Sequence, residues 1–315
     1  MAQSTKQSTK KRAKKRKLKF KNSLTPVAIV LGILVTLMAV LFLLVLLFFS
    51  PKHRRVHTGD SVPETVTVDP DSPEAAAAPG AKSPTATEPP SLPYSELAVE
   101  CFGEENGFKT YRSEELTAKL GIDVSSHQGW IDWQAVADSG VEYAMIRAGY
   151  RGYSEGETNA DEYFEYNIEY ATALGMDVGV YFFSQALTEE EAVAEAKEVL
   201  AMVEGYELSY PIYFDWETVT GDEARTDTIS SSEVTACALA FCKTIEEAGY
   251  DAGIYFNLST ATQLLRLTDL KDYDFWLAEY RDTPSYPFAI DMWQYTDAGT
   301  VPGIEASVDL NLSFK

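Results

Sequence analysis

Asp215 and Glu217 stand two residues apart at the end of the apolar run Pro211-Ile212-Tyr213-Phe214-Asp215-Trp216-Glu217. Side chains two apart on an extended strand share a face, so both carboxylates point one way and Trp216 the other. Crowded carboxyls push each other's ionisation apart, leaving a proton donor beside an anion near neutral pH. Such a pair equips a site for acid–base cleavage of a glycosidic bond. The triplet alone is a weak signal, because a solvated strand end or a pair of salt-bridge acceptors has the same pattern. Asp123, ending the first predicted strand, and Asp309, placed at the end of the last, strengthen it. In a closed barrel those two strands are neighbours, and four carboxylates would converge on one mouth.

Aromatic residues recur at the same predicted strand ends: Tyr150, Phe183, Trp216, Tyr255, Trp276, Tyr280, Trp293 and Tyr295. Flat apolar faces with polar edges suit an amphipathic ligand such as a sugar, which makes these the candidate substrate-binding residues. For any single one of them barrel core is the better reading, and the functional reading rests on their recurrence at strand ends. Other chemistry is poorly supplied. Ser125, Ser126 and His127 adjoin, but a nucleophilic triad needs groups from separate elements. With only His53, His57 and His127 and no clustered Cys/His ligands, no metal site is expected, and no cofactor motif is present. His127 is read as a loop or cleft residue.

The elements that must position these groups alternate short apolar runs with amphipathic segments from Lys119 onward, the α/β pattern of a parallel sheet. Strands are predicted over 120–124, 143–148, 177–183, 211–216, 251–256, 275–279 and 290–295, with a last short one over 306–311. Helices are predicted over 160–174, 188–204 and 231–248. Thr188 with Glu189, Glu190 and Glu191 marks a helix start, and Gly175 and Gly249 mark helix ends. An open doubly wound sheet would show a Gly-rich phosphate loop after its first strand, and Asp123-Val124-Ser125-Ser126-His127-Gln128-Gly129 is no such loop. Eight strands in about 195 residues, against about 250 for a full β/α barrel, predict an incomplete TIM-like barrel with helices shortened or missing.

Seven separated segments resemble, in order, the motifs of glycoside hydrolase family 25, the lysozyme family of bacterial and phage muramidases. They are Gly121 to Gly129 with Ile131-Asp132-Trp133, then Tyr143 to Ala148, Gly179 to Phe183, Tyr213 to Glu217, Trp276 to Tyr280, Trp293-Gln294-Tyr295, and Val308 to Asn311. The resemblance covers about residues 119–315. It implies an incomplete β/α barrel acting on peptidoglycan, with site acids at Asp123, Asp215, Glu217 and Asp309. It further implies Glu217 as general acid and then base, with Asp215 orienting the substrate's own N-acetyl group as it attacks the anomeric carbon. Inversion at that carbon is the alternative, which product stereochemistry would distinguish.

Before the predicted domain the composition changes twice. All ten basic residues of the first 22 positions precede any acid, and Val27 to Phe49 is apolar apart from Gly32 and Thr36. At about 1.5 Å per residue this run spans a hydrocarbon core of about 30 Å, and it is longer than the apolar core of a cleaved signal peptide. The expectation is a basic cytoplasmic tail over 1–26, a single transmembrane helix over 27–49, and everything beyond residue 55 outside the cell membrane. Residues 50–94, rich in Pro, Ala, Ser and Thr, read as a disordered stalk, and 95–118 as a connecting segment of uncertain structure. Thirteen of the 26 basic residues lie in the first 55 positions, leaving 13 against all 48 acids, a formal charge of −35 for the external part. Nucleic acid is thereby excluded as a partner of that part. Cys237 and Cys242, five apart on a predicted helix, read as unpaired core residues, and Cys101 is left over.

The expected function is that of a membrane-anchored muramidase, its partners peptidoglycan glycan strands and the membrane, its oligomeric state open. A catalytically silent glycan-binding module tethering membrane to wall is one alternative, and a glycosidase of another N-acetylated polysaccharide is the other.

Overall fold

A computed structural model describes residues 91–315. The tail, the apolar run 27–49 and the stalk up to residue 90 lie outside the described residues. Among the described residues no helix is long and apolar enough to cross a membrane.

The chain first forms a hairpin, β1 (Phe102–Glu105) and β2 (Phe108–Tyr111), turned at Asn106 and Gly107. Both have positive φ, 54° and 85°, as a tight primed turn requires. Nine strands follow: β3 (Lys119–Val124), β4 (Tyr143–Arg151), β5 (Thr158–Ala160), β6 (Asp177–Ser184), β7 (Ile212–Trp216), β8 (Ala252–Asn257), β9 (Asp274–Ala278), β10 (Met292–Gly299) and β11 (Val308–Ser313). Eight of them close a barrel in the order β3-β4-β6-β7-β8-β9-β10-β11, and β5 hangs on the end of β4. Neighbours from β3 round to β10 are parallel, but β11 is antiparallel to both β10 and β3. The barrel is therefore mixed, where the sequence pattern predicts a parallel one. No helix separates β10 from β11 to carry the chain back to the starting end, so the last strand simply returns.

Five helices cover the outside: α1 (Trp133–Asp138), α2 (Phe164–Ala173), α3 (Glu189–Met202), α4 (Ser231–Glu247) and α5 (Leu258–Gln263). Thr188 caps α3 through Glu191 N, and Ser230 with Glu233 forms a capping box on α4. Strand parity sorts the core into two layers. Residues such as Tyr143, Met145, Tyr181, Tyr213 and Trp276 fill the barrel interior. Their neighbours Ala144, Ile146, Val180, Phe214 and Leu277 pack outward in the layer shared with the helices. Cys237 and Cys242 are free and buried there, as small core residues.

No helix among the described residues follows β9 or β10, and the N-terminal hairpin covers that side instead. Phe102 meets Trp293 edge-on at 5.5 Å, Tyr111 meets Phe314 at 5.6 Å, and Lys109 N donates to Tyr295 Oη at 3.3 Å. Residues 95–118 are thus an integral wall of the domain rather than a connection. The fold also begins earlier than the stalk boundary at 94 predicts. Leu92 is buried, Pro93 O accepts from Ala289 N at 2.9 Å, and Tyr94 bridges to Phe288. The apolar outer faces of β10 and β11 need this cover.

Candidate active site

The C-terminal ends of the parallel strands and the start of β11 surround a cavity of about 310 Å³. Asp123, Asp215, Glu217 and Asp309 all line it. Asp309 lies one residue into β11, not at its end, and reaches the mouth because that strand runs backwards and pairs Asp309 with Asp123.

Asp123 is buried, and its Oδ2 accepts from Gln294 Nε2 at 2.9 Å and Asn311 Nδ2 at 2.8 Å. Each amide is held in turn. Tyr280 Oη donates to Gln294 Oε1 at 2.9 Å, and Trp276 Nε1 donates to Asn311 Oδ1 at 2.8 Å. Burial raises the pKa of Asp123 above the usual carboxylate range, and these donors, which favour the anion, offset only part of that rise. Burial, and then the charge of Asp123, push Asp309 up to about 9. Asp309 therefore keeps its proton at neutral pH and shares it with Asp123.

Asp215 points inward from β7, and its buried Oδ1 has no hydrogen-bond partner among the described residues. Burial first, then the charges of Glu217 and Asp123, hold its pKa well above the usual carboxylate range, with Arg147 opposing them. Glu217 sits just past the end of β7. Burial, then the charge of Asp123, push it up to about 7. The mouth thus retains protons near neutrality, the supply a general acid draws on. Gln185 fixes the backbone there: its Nε2 donates to Glu217 O at 2.8 Å, while its Oε1 accepts from Thr226 Oγ1 at 2.6 Å.

Of the eight aromatic candidates, Phe183, Tyr255, Trp276 and Tyr280 reach the cavity. Trp216, Trp293 and Tyr295 do not, because parity turns them outward: each alternates with an inward residue, Asp215, Gln294 or Glu217. Trp216 is buried in the outer layer, and Trp293 donates to Glu279 O at 2.8 Å beneath the hairpin. Tyr295 packs against the same hairpin. Tyr150 lies beside the mouth, its ring 5.3 Å from the Arg147 guanidinium. His127 lines the cleft.

Four side chains that line the cleft or hold its acids escape the prediction: Arg147, Tyr181, Gln294 and Asn311. Arg147 brings a cation to the four acids and is fixed by Asp161 Oδ2 at 2.8 Å and Ser126 Oγ at 3.0 Å. All four sit at inward parity on strands that were predicted, so parity carried the signal.

The profile of glycosyl hydrolases family 25 matches residues 122–304. The chain belongs to family 25. Asp123, Asp215 and Glu217 fall within the matched residues, and Asp309 lies just beyond them. The autolytic lysozyme of Clostridium acetobutylicum is 30% identical over 192 residues, 61% of this chain and 54% of that protein. The modular autolysin LytC of Streptococcus pneumoniae, solved in complex with a synthetic peptidoglycan ligand, is 28% identical with a TM-score of 0.55, over 67% of this chain and 51% of that one. A family 25 glycosyl hydrolase from Bacillus anthracis has the same fold, with a TM-score of 0.55 at 23% identity over 68% of this chain and 95% of that one. The chain spans about half the length of the lysozyme and the autolysin, and its family 25 domain is what they share.

Proposed function

We propose that this family 25 domain is a muramidase, hydrolysing the β-1,4 bond between N-acetylmuramic acid and N-acetylglucosamine in peptidoglycan. The observation that carries the reading is Glu217, poised at about 7 in a cavity with three further carboxyls. Protonated Glu217 gives its proton to the glycosidic oxygen as the bond to the anomeric carbon breaks. The carbonyl oxygen of the substrate's N-acetyl group closes on that carbon from the other side, a substrate-assisted route. Asp215 Oδ1, buried and unpartnered, is a ready acceptor for the N–H of that group. Glu217, now ionised, takes a proton from the water that opens the ring, and the enzyme returns to its starting state. The relatives named as a lysozyme and as an autolysin bound to a peptidoglycan ligand support the choice of substrate.

The proposal includes a location. The ten basic residues ahead of the apolar run 27–49 support a single-pass membrane anchor with its N-terminus in the cytoplasm and the domain outside. Tethering would raise the enzyme's concentration at the wall.

The test is to incubate the full-length chain, and the same chain with Glu217→Gln, with purified peptidoglycan. The released fragments are then reduced and the new reducing-end sugar identified by mass spectrometry. Reduced muramic acid made by the wild type alone is expected. A reduced glucosamine end, or equal release by both proteins, overturns the reading.

A further inference from the structure

The mouth, at about 310 Å³, stands at the small end of ligand cavities, so a polymer bound there must continue out of it. One exit is already built. Across Tyr280, which lines both, the mouth adjoins an open groove of about 680 Å³. One wall of this groove is the hairpin, through Phe108 and Lys109, and the other is the bulged end of β10 around Ala298. The hairpin lies outside residues 122–304, so this wall is not part of what the family profile matches.

The chemistry of the groove selects its occupant. Tyr280, half exposed, together with the half-buried Phe108 offers aromatic surface to an apolar sugar face. Both cations at the groove are already paired. Lys109 Nζ binds Asp282 through its backbone O at 3.1 Å and Oδ1 at 3.3 Å, and Arg281 Nε meets Glu279 Oε1 at 3.1 Å. Glu104 lines the groove and Asp297 stands at the mouth beside it, and both repel acidic groups such as the carboxylates of stem peptides. We propose that the groove between the β1–β2 hairpin and the end of β10 is a further glycan subsite. It holds an uncharged N-acetylhexosamine of the strand whose neighbouring units fill the mouth. This deepens the muramidase reading and rests on its choice of polymer.

Ala298 is exposed and lines the groove without entering the mouth, so Ala298→Trp plugs the groove and Ala298→Ser is the control. Full-length wild type and both variants are assayed on peptide-free peptidoglycan glycan strands of four and eight sugars and on peptide-bearing strands. Binding of the same strands is measured in a Glu217→Gln background. The expected result is a loss of about tenfold in kcat/KM on eight sugars for Ala298→Trp, with the four-sugar rate and the serine variant unchanged. Equal rates for wild type and plug on eight sugars overturn the subsite and leave the muramidase reading standing. A loss confined to peptide-bearing strands makes the groove a peptide site and also overturns the proposal. If the wild type cuts nothing but the plug weakens binding of eight sugars alone, the muramidase reading fails and the subsite stands; with neither cleavage nor binding, both fail.

Discussion

Asp309 on β11 stands directly across from Asp123 on β3 in the antiparallel pairing that closes the barrel. The two carboxyls share a proton that Asp309, pushed up to about 9, holds through neutral pH. In the unfolded chain Asp309 titrates near 3.9. Between those values the native state binds a proton that the unfolded state has lost, so this contribution to stability declines as pH rises from about 4 to about 9. Asp309→Asn keeps a donor toward Asp123 and cannot ionise. It is expected to unfold at a higher temperature than wild type at pH 8, each 1 kcal/mol gained adding roughly 2–4 °C, and to differ little at pH 4. Thermal unfolding followed by circular dichroism at both pH values checks this, and a variant less stable than wild type at pH 8 contradicts it.

The proposed chemical step needs Glu217 protonated, and burial with the charge of Asp123 pushes its pKa up to about 7. The alkaline limb of kcat/KM is therefore expected near pH 7, with activity falling above it. Asp123 contributes to that elevation through its charge. Asp123→Asn should move the limb to lower pH as well as lowering the rate. A limb that stays in place shows that Asp123 does not set the proton affinity of Glu217.

Glu217→Gln removes the proposed proton donor and leaves the cavity's shape. Hydrolysis should fall about 10²–10⁴-fold, with glycan binding within a few-fold of wild type. Reducing-end release and calorimetry measure the two effects separately.

The side chain of Gln185 hydrogen-bonds the backbone of Glu217 and the hydroxyl of Thr226, and both Gln185 and Thr226 are buried. Its loss frees the Glu217 carbonyl and strands the hydroxyl. Gln185→Ala is expected to lower kcat about tenfold with KM within about twofold, because the acid is misplaced while the sugar contacts remain. Steady-state kinetics on soluble glycan strands decide the matter; an effect confined to KM argues against a positioning role.

A fragment beginning at Lys119 keeps all of the family match, residues 122–304, but loses the hairpin. Phe102 and Tyr111 then no longer cover Trp293 and Phe314, and Phe108 no longer packs on the core, a loss of about 5 kcal/mol of apolar burial. That fragment is expected to bind a hydrophobic dye and to unfold well below 91–315 on heating. Equal melting temperatures would show the hairpin to be dispensable.

The barrel was legible because each strand announces itself as an apolar run, and the acids because they end such runs. The direction of β11 was not legible. A strand of six residues reads the same either way, and what reverses it is the missing helix before it. Parity, which brings Asp215 and Glu217 into the cleft, turns Trp216, Trp293 and Tyr295 away from it. Applied evenly, it also picks out Arg147 and Gln294. The hairpin stayed hidden because its strands have four residues each and little apolar alternation. Its burial comes from Trp293 and Phe314, about 200 residues further along the chain.

The backward run of β11 also decides how the domain can be wired. It carries the chain from the mouth to the far pole, where Phe314 N bonds Asp291 O and Phe314 borders the same depression as Pro93. Both leads of the domain therefore leave from one pole, and the cleft opens at the other. A bead, a surface or a fused protein attached at either lead meets the domain at its base and leaves the pole that carries the cleft unobstructed.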